Sequence, residues 1–454
     1  MKNWALITMV CSLLAPGAAF AQDAAPAEST GEAPAPTPGS AIPTEMELEG
    51  HATEEPMTTP PGEAEGEEDH KWYDDLNVNV FADTFYMVDW NHPERADATQ
   101  NVAHRAYDFT SGFALAFAGL DISYAREHFG ATLGLRWGKG AERYLIGTNT
   151  PGFIGLKQAF VSYMPTSNLQ IDAGQFDTPY GAEVAESWLN LNYTRTPLNY
   201  LMQPFYHTGL RATWQVNDTL MVRGLLVNGI NNGIASRLSP SLGAQVGLTP
   251  TDGVAIYAGY FTGAPNDYAN QADPTDARIN KPFQHFLDLV ASFQFGDFRL
   301  VANGDMWILN PAGSTDRLLA GGVSLVAGYQ VTPKFGVAVR ADYLNNADAY
   351  FNTGTALPGV GGAGTIGYPG ANSGYTPAWK HLGVGTLTFD YRPFGNHAIF
   401  RLEQRFEYAD ESVFPNGTFG VGDPTDMTTT QGWVNDTSKF WTATTLSLVV
   451  QMND

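Results

Sequence analysis

Apolar and polar side chains alternate along many segments of the chain from Leu76 onwards, each segment being about 10 residues long. In one of them aromatic and aliphatic residues share one face and charged residues the other: Ala398, Phe400, Leu402, Phe406 and Tyr408 against Arg401, Glu403, Arg405 and Glu407. A period of two predicts a strand that has one face in an apolar medium and the other in water. Beyond residues 1–21, no apolar run approaches the roughly 20 residues that a membrane-spanning helix needs.

The predicted strands are joined by connections that alternate between short and long. Seven short connections are rich in Pro, Gly, Asn and Asp, which favour tight turns, and eight long connections come between them. A soluble sandwich also has alternating strands, but nothing in it requires this asymmetry. We therefore predict an all-β fold, namely a transmembrane up-and-down antiparallel β-barrel of about 16 strands (roughly 14–18), with short periplasmic turns and long external loops.

The N-terminal residues differ in composition from the predicted barrel. Residues 1–21 combine Lys2, an apolar stretch and the small residues Ala19 and Ala21, which predicts a signal peptide cleaved after Ala21. Residues 22–75 hold 15 acidic side chains and one Lys among many Pro, Ala and Thr residues, which predicts a disordered periplasmic tail. Such a tail is either a solvated segment without a specific role or a tether to a cell-wall or protein partner. Residues 76–454 are predicted to form the barrel.

Charge and cysteine content exclude several classes of protein. The chain carries 47 acidic and 24 basic side chains, a formal net charge of −23, so it lacks the basic excess expected of a nucleic-acid-binding protein. Its one cysteine, Cys11, lies in the predicted signal peptide, which leaves the mature chain no cysteine for disulfides or zinc ligation. Export together with a transmembrane barrel predicts a protein of the Gram-negative outer membrane, in contact with its lipid.

The number of strands suggests a function for the barrel. About eight strands are filled by their own side chains, whereas about 16–18 leave an aqueous channel. We expect the polar faces to line this channel with charges of both signs, which discriminate among polar solutes. The wall candidates are Arg211, Arg223, Asp288, Arg299, Asp305, Arg340, Asp342, Arg401, Glu403, Arg405 and Glu407. The alternative for each of them is a cross-strand pair that covers the wall without selecting solutes.

The connection from Asp177 to Thr208 is the candidate constriction of the channel. It is rich in Trp, Tyr and Phe, whose rings would leave apolar area in water if the loop were freely solvated. Folding into the barrel would bury these rings and present charged side chains to the channel. The candidate residues are Asp177, Glu183, Glu186, Arg195 and His207. The alternative is an external cap packed over the rim.

An enzymatic function is not favoured by the sequence. The histidines are scattered, and no Ser–His pair, paired-Asp cluster, phosphate-binding glycine loop before a helix or HExxH spacing stands out. We therefore expect no catalysis, no cofactor and no metal site.

Three segments of the chain carry a family resemblance. They are residues 173–183 (AGQFDTPYGAE), 203–212 (QPFYHTGLRA) and 226–232 (LVNGINN), and they resemble the OmpL-like β-barrel porins. The resemblance implies an outer-membrane, pore-forming protein for small hydrophilic solutes, and it brings no substrate or assigned selectivity residues. Porins often form trimers, so a homotrimer is one expected assembly.

Together these features predict an outer-membrane porin. A water-filled channel would pass small hydrophilic solutes or ions by passive diffusion, with residues 177–208 as its constriction. We expect a preference for cations, because acidic side chains outnumber basic ones even without the tail. The alternative is a plugged or structural barrel whose acidic tail binds a cell-wall or protein partner.

Overall fold

The structure is described over nine segments of the chain. The computed structural model describes residues 72–91, 111–145, 155–234, 240–263, 283–310, 317–346, 379–412, 414–420 and 432–452. The predicted signal peptide and residues 22–71 of the predicted tail lie outside them. The last four residues of that tail, Trp72–Asp75, form a 3-10 helix that leads directly into the first strand.

Sixteen strands form one closed antiparallel barrel, which confirms the predicted fold class. Each strand pairs with the next barrel strand along the chain, and the last pairs with the first from Phe81–Gln451 to Asp89–Ala443. The barrel strands are β1 (Leu76–Asp89), β2 (Gly112–Arg126), β3 (Phe129–Trp137), β4 (Leu156–Thr166), β5 (Leu169–Asp177), β6 (Tyr206–Asn217), β7 (Leu220–Val227), β8 (Ser241–Thr251), β9 (Val254–Gly263), β10 (Phe283–Phe295), β11 (Phe298–Asn310), β12 (Leu318–Thr332), β13 (Phe335–Asn345), β14 (His381–Tyr391), β16 (Ala398–Ala409) and β19 (Phe440–Gln451).

The remaining elements are short and lie in the connections. Strand β15 (Pro393–Asn396) lies between β14 and β16, and β17 (Phe414–Gly420) pairs with β18 (Gly432–Ser438) in a separate hairpin. Helix α1 (Lys139–Tyr144) follows β3. Helix α2 (Pro197–Leu201) and a second 3-10 helix (Ser187–Leu189) lie in the connection between β5 and β6. Within the described residues, every helix is too short or too polar to cross a membrane.

Burial follows the alternation of the sequence. On β16 the charged residues Arg401, Glu403, Arg405 and Glu407 are buried inside the barrel, whereas the intervening apolar positions are largely exposed on its outer surface. Because adjacent side chains of a strand point to opposite faces, this pattern puts the polar face inside and the apolar face outside. A closed sheet also pairs every ladder N–H and C=O within the chain, which is the condition for a strand structure in lipid.

The two ends of the barrel differ in the length of their connections. At one end, six pairs of strands are joined by two-residue turns, at 127–128, 167–168, 218–219, 252–253, 296–297 and 333–334. The connections at the other end are longer, and one of them, residues 178–205, is described throughout. We call residues 178–205 the lumen loop. Its position inside the barrel determines the site described next.

Candidate functional site

The lumen loop leaves and re-enters the wall at the same point. Asp177 at the end of β5 pairs with Tyr206 at the start of β6, and the amide of Thr178 donates to the carbonyl of Phe205 over 3.1 Å. His207 completes this neck, because its Nδ1 donates to the carbonyl of Gly229 over 2.8 Å while its Nε2 lies 3.2 Å from the Thr178 hydroxyl. The constriction candidates Asp177 and His207 therefore lie at strand ends beside the neck rather than within the loop.

Local interactions fold the lumen loop onto itself. The buried guanidinium of Arg195 donates to the carbonyls of Val184, Ala185 and Tyr193. Thr196 caps α2, with its hydroxyl accepting from the amide of Asn199 over 3.0 Å, and proline follows at the first helical position. These contacts satisfy backbone groups that would otherwise be buried without partners.

Aromatic side chains of the loop pack against the inner wall. The ring of Trp188 lies 4.6 Å from that of Phe81 on β1, and Phe205 lies 4.8 Å from Tyr144 at the end of α1. On the opposite wall, Trp307 of β11 donates its indole N–H to the carbonyl of Met202 over 2.6 Å. The loop thus buries the rings that made it unusual as a solvated segment, as the sequence predicted.

A chain of alternating charges connects the loop to strands β2–β5. The carboxylate of Glu186 lies 2.5 Å from Nζ of Lys157 and 2.8 Å from the guanidinium of Arg136. Lys157 also contacts Asp177 over 2.7 Å, and Arg136 contacts Asp121 over 2.7 Å. Three carboxylates therefore share two cations. Breaking such a buried pair by removing one partner typically costs about 3–5 kcal/mol.

The pKa of Glu186 reflects this environment. Burial alone would raise the pKa of Glu186, but the nearby cations Lys157 and Arg136 lower it to about 2. The residue belongs to the loop and not to a membrane-spanning strand. It is therefore ionised at neutral pH and holds the loop to the wall as a carboxylate.

A second ionic contact joins the loop to β13. Arg340 donates to Glu183 of the loop over 3.1 Å and to Asp342 of its own strand over 3.0 Å. The same guanidinium donates to the backbone carbonyls of Thr194 and Arg195. One wall arginine therefore fixes both the charge and the backbone of the loop.

Two wall carboxylates accept hydrogen bonds from the tip of the loop. Asp83 on β1 accepts from the hydroxyls of Ser187 and Tyr193 over 2.7 and 2.9 Å. Glu403 on β16 accepts from the backbone amides of Tyr193 and Thr194 over 2.7 and 3.0 Å. Charged acceptors of this kind make hydrogen bonds about twice as strong as neutral ones.

The loop also reaches the wall formed by β10 and β11. Gln203 donates to Asn303 over 2.7 Å and to Asp305 over 2.8 Å. Asn303 donates in turn to Asp288 over 3.0 Å, and Asp288 and Asp305 are directly paired across the two strands. With contacts to β1, β3, β4, β11, β13 and β16, the loop spans the bore of the barrel.

The predicted site residues all point into the barrel, but they do not share one surface. Those that contact the lumen loop or lie beside it are Asp177, Glu183, Glu186, Arg195, His207, Asp288, Asp305, Arg340, Asp342, Arg401, Glu403 and Arg405. Arg405 is in turn paired with Glu407 over 2.7 Å. Two residues lie elsewhere on the wall, where Arg211 pairs with Asp172 and Arg223 donates to Gln245, whereas Arg299 lines a cavity between the loop and strands β11 and β12.

Their surroundings differ from the expected water-lined wall. Of the predicted site residues, all but Glu183 and Arg299 are buried. The loop supplies partners to Arg340, Arg401, Glu403 and Arg405, whereas Arg211, Arg223 and Glu407 have partners on the wall itself. The prediction did not list Asp121, Arg136 or Lys157 among the site residues. Asp121 and Arg136 lie on the polar faces of strands with alternating sequence, so the sequence predicts that they point inward. Their association with Glu186 depends on the path of the loop, which the alternation does not predict.

Two cavities adjoin the loop within the described part of the chain. The larger, a space of about 560 Å³ that includes open solvent, lies between the loop and the wall around β2–β5. The smaller, of about 480 Å³, lies between the loop and strands β11 and β12. Glu183 lines both of them. In the described residues, no group of three or more His, Cys, Asp and Glu side chains is arranged to hold a metal ion.

Comparison with known proteins gives one family match and several structural similarities. The family described as "Putative beta-barrel porin-2, OmpL-like" matches residues 75–434. No curated protein matches the chain. Among solved structures, the outer membrane channel DcaP of Acinetobacter baumannii is 10% identical, with 83% of this chain and 97% of that chain covered and a TM-score of 0.49. OmpT of Vibrio cholerae is 12% identical, with 83% and 97% covered and a TM-score of 0.48. OprB of Pseudomonas putida is 9% identical, with 83% and 94% covered and a TM-score of 0.47.

Proposed function

The chain belongs to the OmpL-like β-barrel porin family. We propose that it forms a narrow channel through which small hydrophilic solutes or ions diffuse passively, and that the lumen loop is the constriction of this channel. Family membership gives an outer-membrane location and supports a channel-forming function. The single observation that carries the constriction proposal is the path of the loop, which crosses the bore and is held there by wall charges on opposite sides.

The charges of the constriction favour cations. In the chain of contacts around Glu186, three carboxylates share two cations, which leaves a net negative charge. Around Arg340, two carboxylates share one cation. A solute that passes along either cavity meets this excess at close range, where the dielectric screening of bulk water is reduced.

One observation favours a second candidate function, a plugged barrel. The loop crosses the bore and nearly all the predicted wall charges are buried, so a conducting path must follow the cavities beside the loop or require its displacement. In this second reading the barrel would not conduct, and its role would rest on its tail or surface.

Planar-bilayer recording on the purified full chain separates the two candidates. A porin gives current steps of reproducible size, whereas a plugged barrel gives none. The contribution of the loop can be tested with Gln203→Cys and Asn303→Cys, since these side chains are within 2.7 Å and the predicted mature chain has no other cysteine. If conduction needs the loop to move, a reducible bifunctional thiol reagent should suppress the current and a reductant should restore it. If the loop is a static constriction, the cross-link should leave the current largely unchanged.

A further inference from the structure

The larger cavity beside the lumen loop combines carboxylates with a continuous row of aromatic rings. Asp177, Glu183 and Glu186 all line it. So do Phe117 and Tyr144, whose ring centroids lie 6.2 Å apart, and the row continues to Phe205, 4.8 Å from Tyr144.

The two cations in this cavity already have partners. Lys157 is bonded to Asp177 and Glu186, and Arg136 donates to Asp121 and Glu186. Ionised carboxylates only accept hydrogen bonds, and this group has one carboxylate more than it has cations, so some carboxylate oxygen positions have no donor. A further anion would add to the excess of negative charge, whereas a cation would neutralise it.

An orphaned atom identifies where that capacity lies. The side chain of Glu186 is 1% exposed, and its Oε2 has no hydrogen-bond partner among the described residues, although its Oε1 receives both cations. A buried acceptor without a donor costs free energy, so such an atom calls for a ligand that supplies one.

We propose that this cavity is a binding site for a small ammonium-type cation, with Glu186 Oε2 accepting from its N–H groups and the aromatic row facing its alkyl part. Aromatic faces attract cations through their negative quadrupole, which adds to the effect of the carboxylates. The inference rests on the proposed function in that the site lies along the constriction, where a cation would bind in transit.

Three small probes that each carry one methyl group test the charge preference: methylammonium is a cation, methanol is neutral and acetate is an anion. Saturation-transfer difference NMR reports binding of each to the natively folded full chain in detergent, without any current being measured. Methylammonium should give clear transfer, and methanol and acetate little or none. Failure of this binding would leave the bilayer result untouched, so the two proposals fail separately.

Two variants locate the binding. Glu186→Gln should weaken methylammonium binding at least about tenfold, because a hydrogen bond to a charged acceptor is lost. Ala185→Leu, at a position that lines the cavity, should block binding while it leaves every charge in place. The matched control Glu411→Gln removes an exposed carboxylate away from the cavity and should bind normally.

The outcomes decide the proposal even if one variant folds poorly, since the comparison of probes needs no variant. Equal transfer to the three probes, stronger transfer to acetate, or unchanged binding in folded Glu186→Gln would overturn it. Displacement of methylammonium by an equal concentration of potassium would overturn the assignment to an N–H donor.

Discussion

Neutralising the carboxylates of the constriction should shift ion selectivity towards anions. In the triple variant Asp177→Asn, Glu183→Gln and Glu186→Gln, the group around Arg136 and Lys157 changes from three carboxylates and two cations to one carboxylate and two cations. The group around Arg340 changes from two carboxylates and one cation to one of each. The local charge therefore changes sign.

The size of this shift follows from Coulomb's law. A unit charge about 10 Å from a passing ion contributes about 0.4 kcal/mol in water, so three charges contribute about 1.2 kcal/mol. That corresponds to a factor of about eight in the permeability of each ion, in opposite directions for cation and anion. Screening at about 0.1 M salt reduces each factor to about two, so the ratio of cation to anion permeability should fall about four- to fivefold.

Reversal potentials across a planar bilayer with a salt gradient measure this ratio directly. A matched triple variant, Asp218→Asn, Asp252→Asn and Asp297→Asn, removes the same total charge from three exposed two-residue turns. Its selectivity should stay close to that of the wild type. If both triple variants shift the reversal potential equally, or if neither does, the loop carboxylates do not set selectivity and the constriction lies elsewhere.

Three further predictions concern the docking of the loop. The lowered pKa of Glu186 should contribute about 3 kcal/mol to the free energy of unfolding above pH 4.5, and this contribution should be lost as the pH falls towards 2. The difference in unfolding free energy between wild type and Glu186→Gln, followed across pH, measures it. Gly181→Ala should lower the melting temperature, because φ is +91° there and a Cβ would lie 2.1 Å from Gln203 Oε1; the expected cost is about 1–3 kcal/mol. Glu403→Gln should weaken the hydrogen bonds to the loop amides by about 1–2 kcal/mol and increase current noise in bilayers.

Each of these predictions has an outcome that contradicts it. A wild-type advantage over Glu186→Gln that grows below pH 4 would reverse the expected sign. A Gly181→Ala protein with an unchanged melting temperature would mean that Gln203 moves away without loss. For Glu403→Gln, the control is Glu411→Gln, which removes an exposed carboxylate near the end of β16. Equal current noise in the two variants would mean that the noise does not come from weaker docking of the loop.

The wall of the barrel was predictable from sequence because two different solvents act on the two faces of each strand. Arg340, Arg401 and Glu403 point inward as the alternation predicted, since a side chain on the wrong face would place a charge in lipid. The inward folding of the connection was also predictable, from its excess of aromatic residues.

The contacts of the loop were not predictable from local pattern. Ser187 bonds to Asp83 across 104 residues of sequence, and Tyr193 bonds to Glu403 across 210. Such pairs depend on barrel closure, which brings β1 and β16 to either side of β19. The burial of Arg340, Arg401, Glu403 and Arg405 beneath the loop depends on contacts of the same kind. The homotrimer and the partner of the acidic tail stay predictions of the sequence.

The distance in sequence between the loop and its partners also sets an order of events during biogenesis. The neck between β5 and β6 joins residues close along the chain, so it can form early, whereas the acceptor Glu403 is synthesised some two hundred residues after Tyr193. Trp188 packs against Phe81, which is synthesised earlier, but Met202 has no Trp307 to contact until β11 is made. A partly folded chain therefore exposes this aromatic segment, together with the apolar faces of its unpaired strands, and such surface is prone to aggregation until the barrel closes.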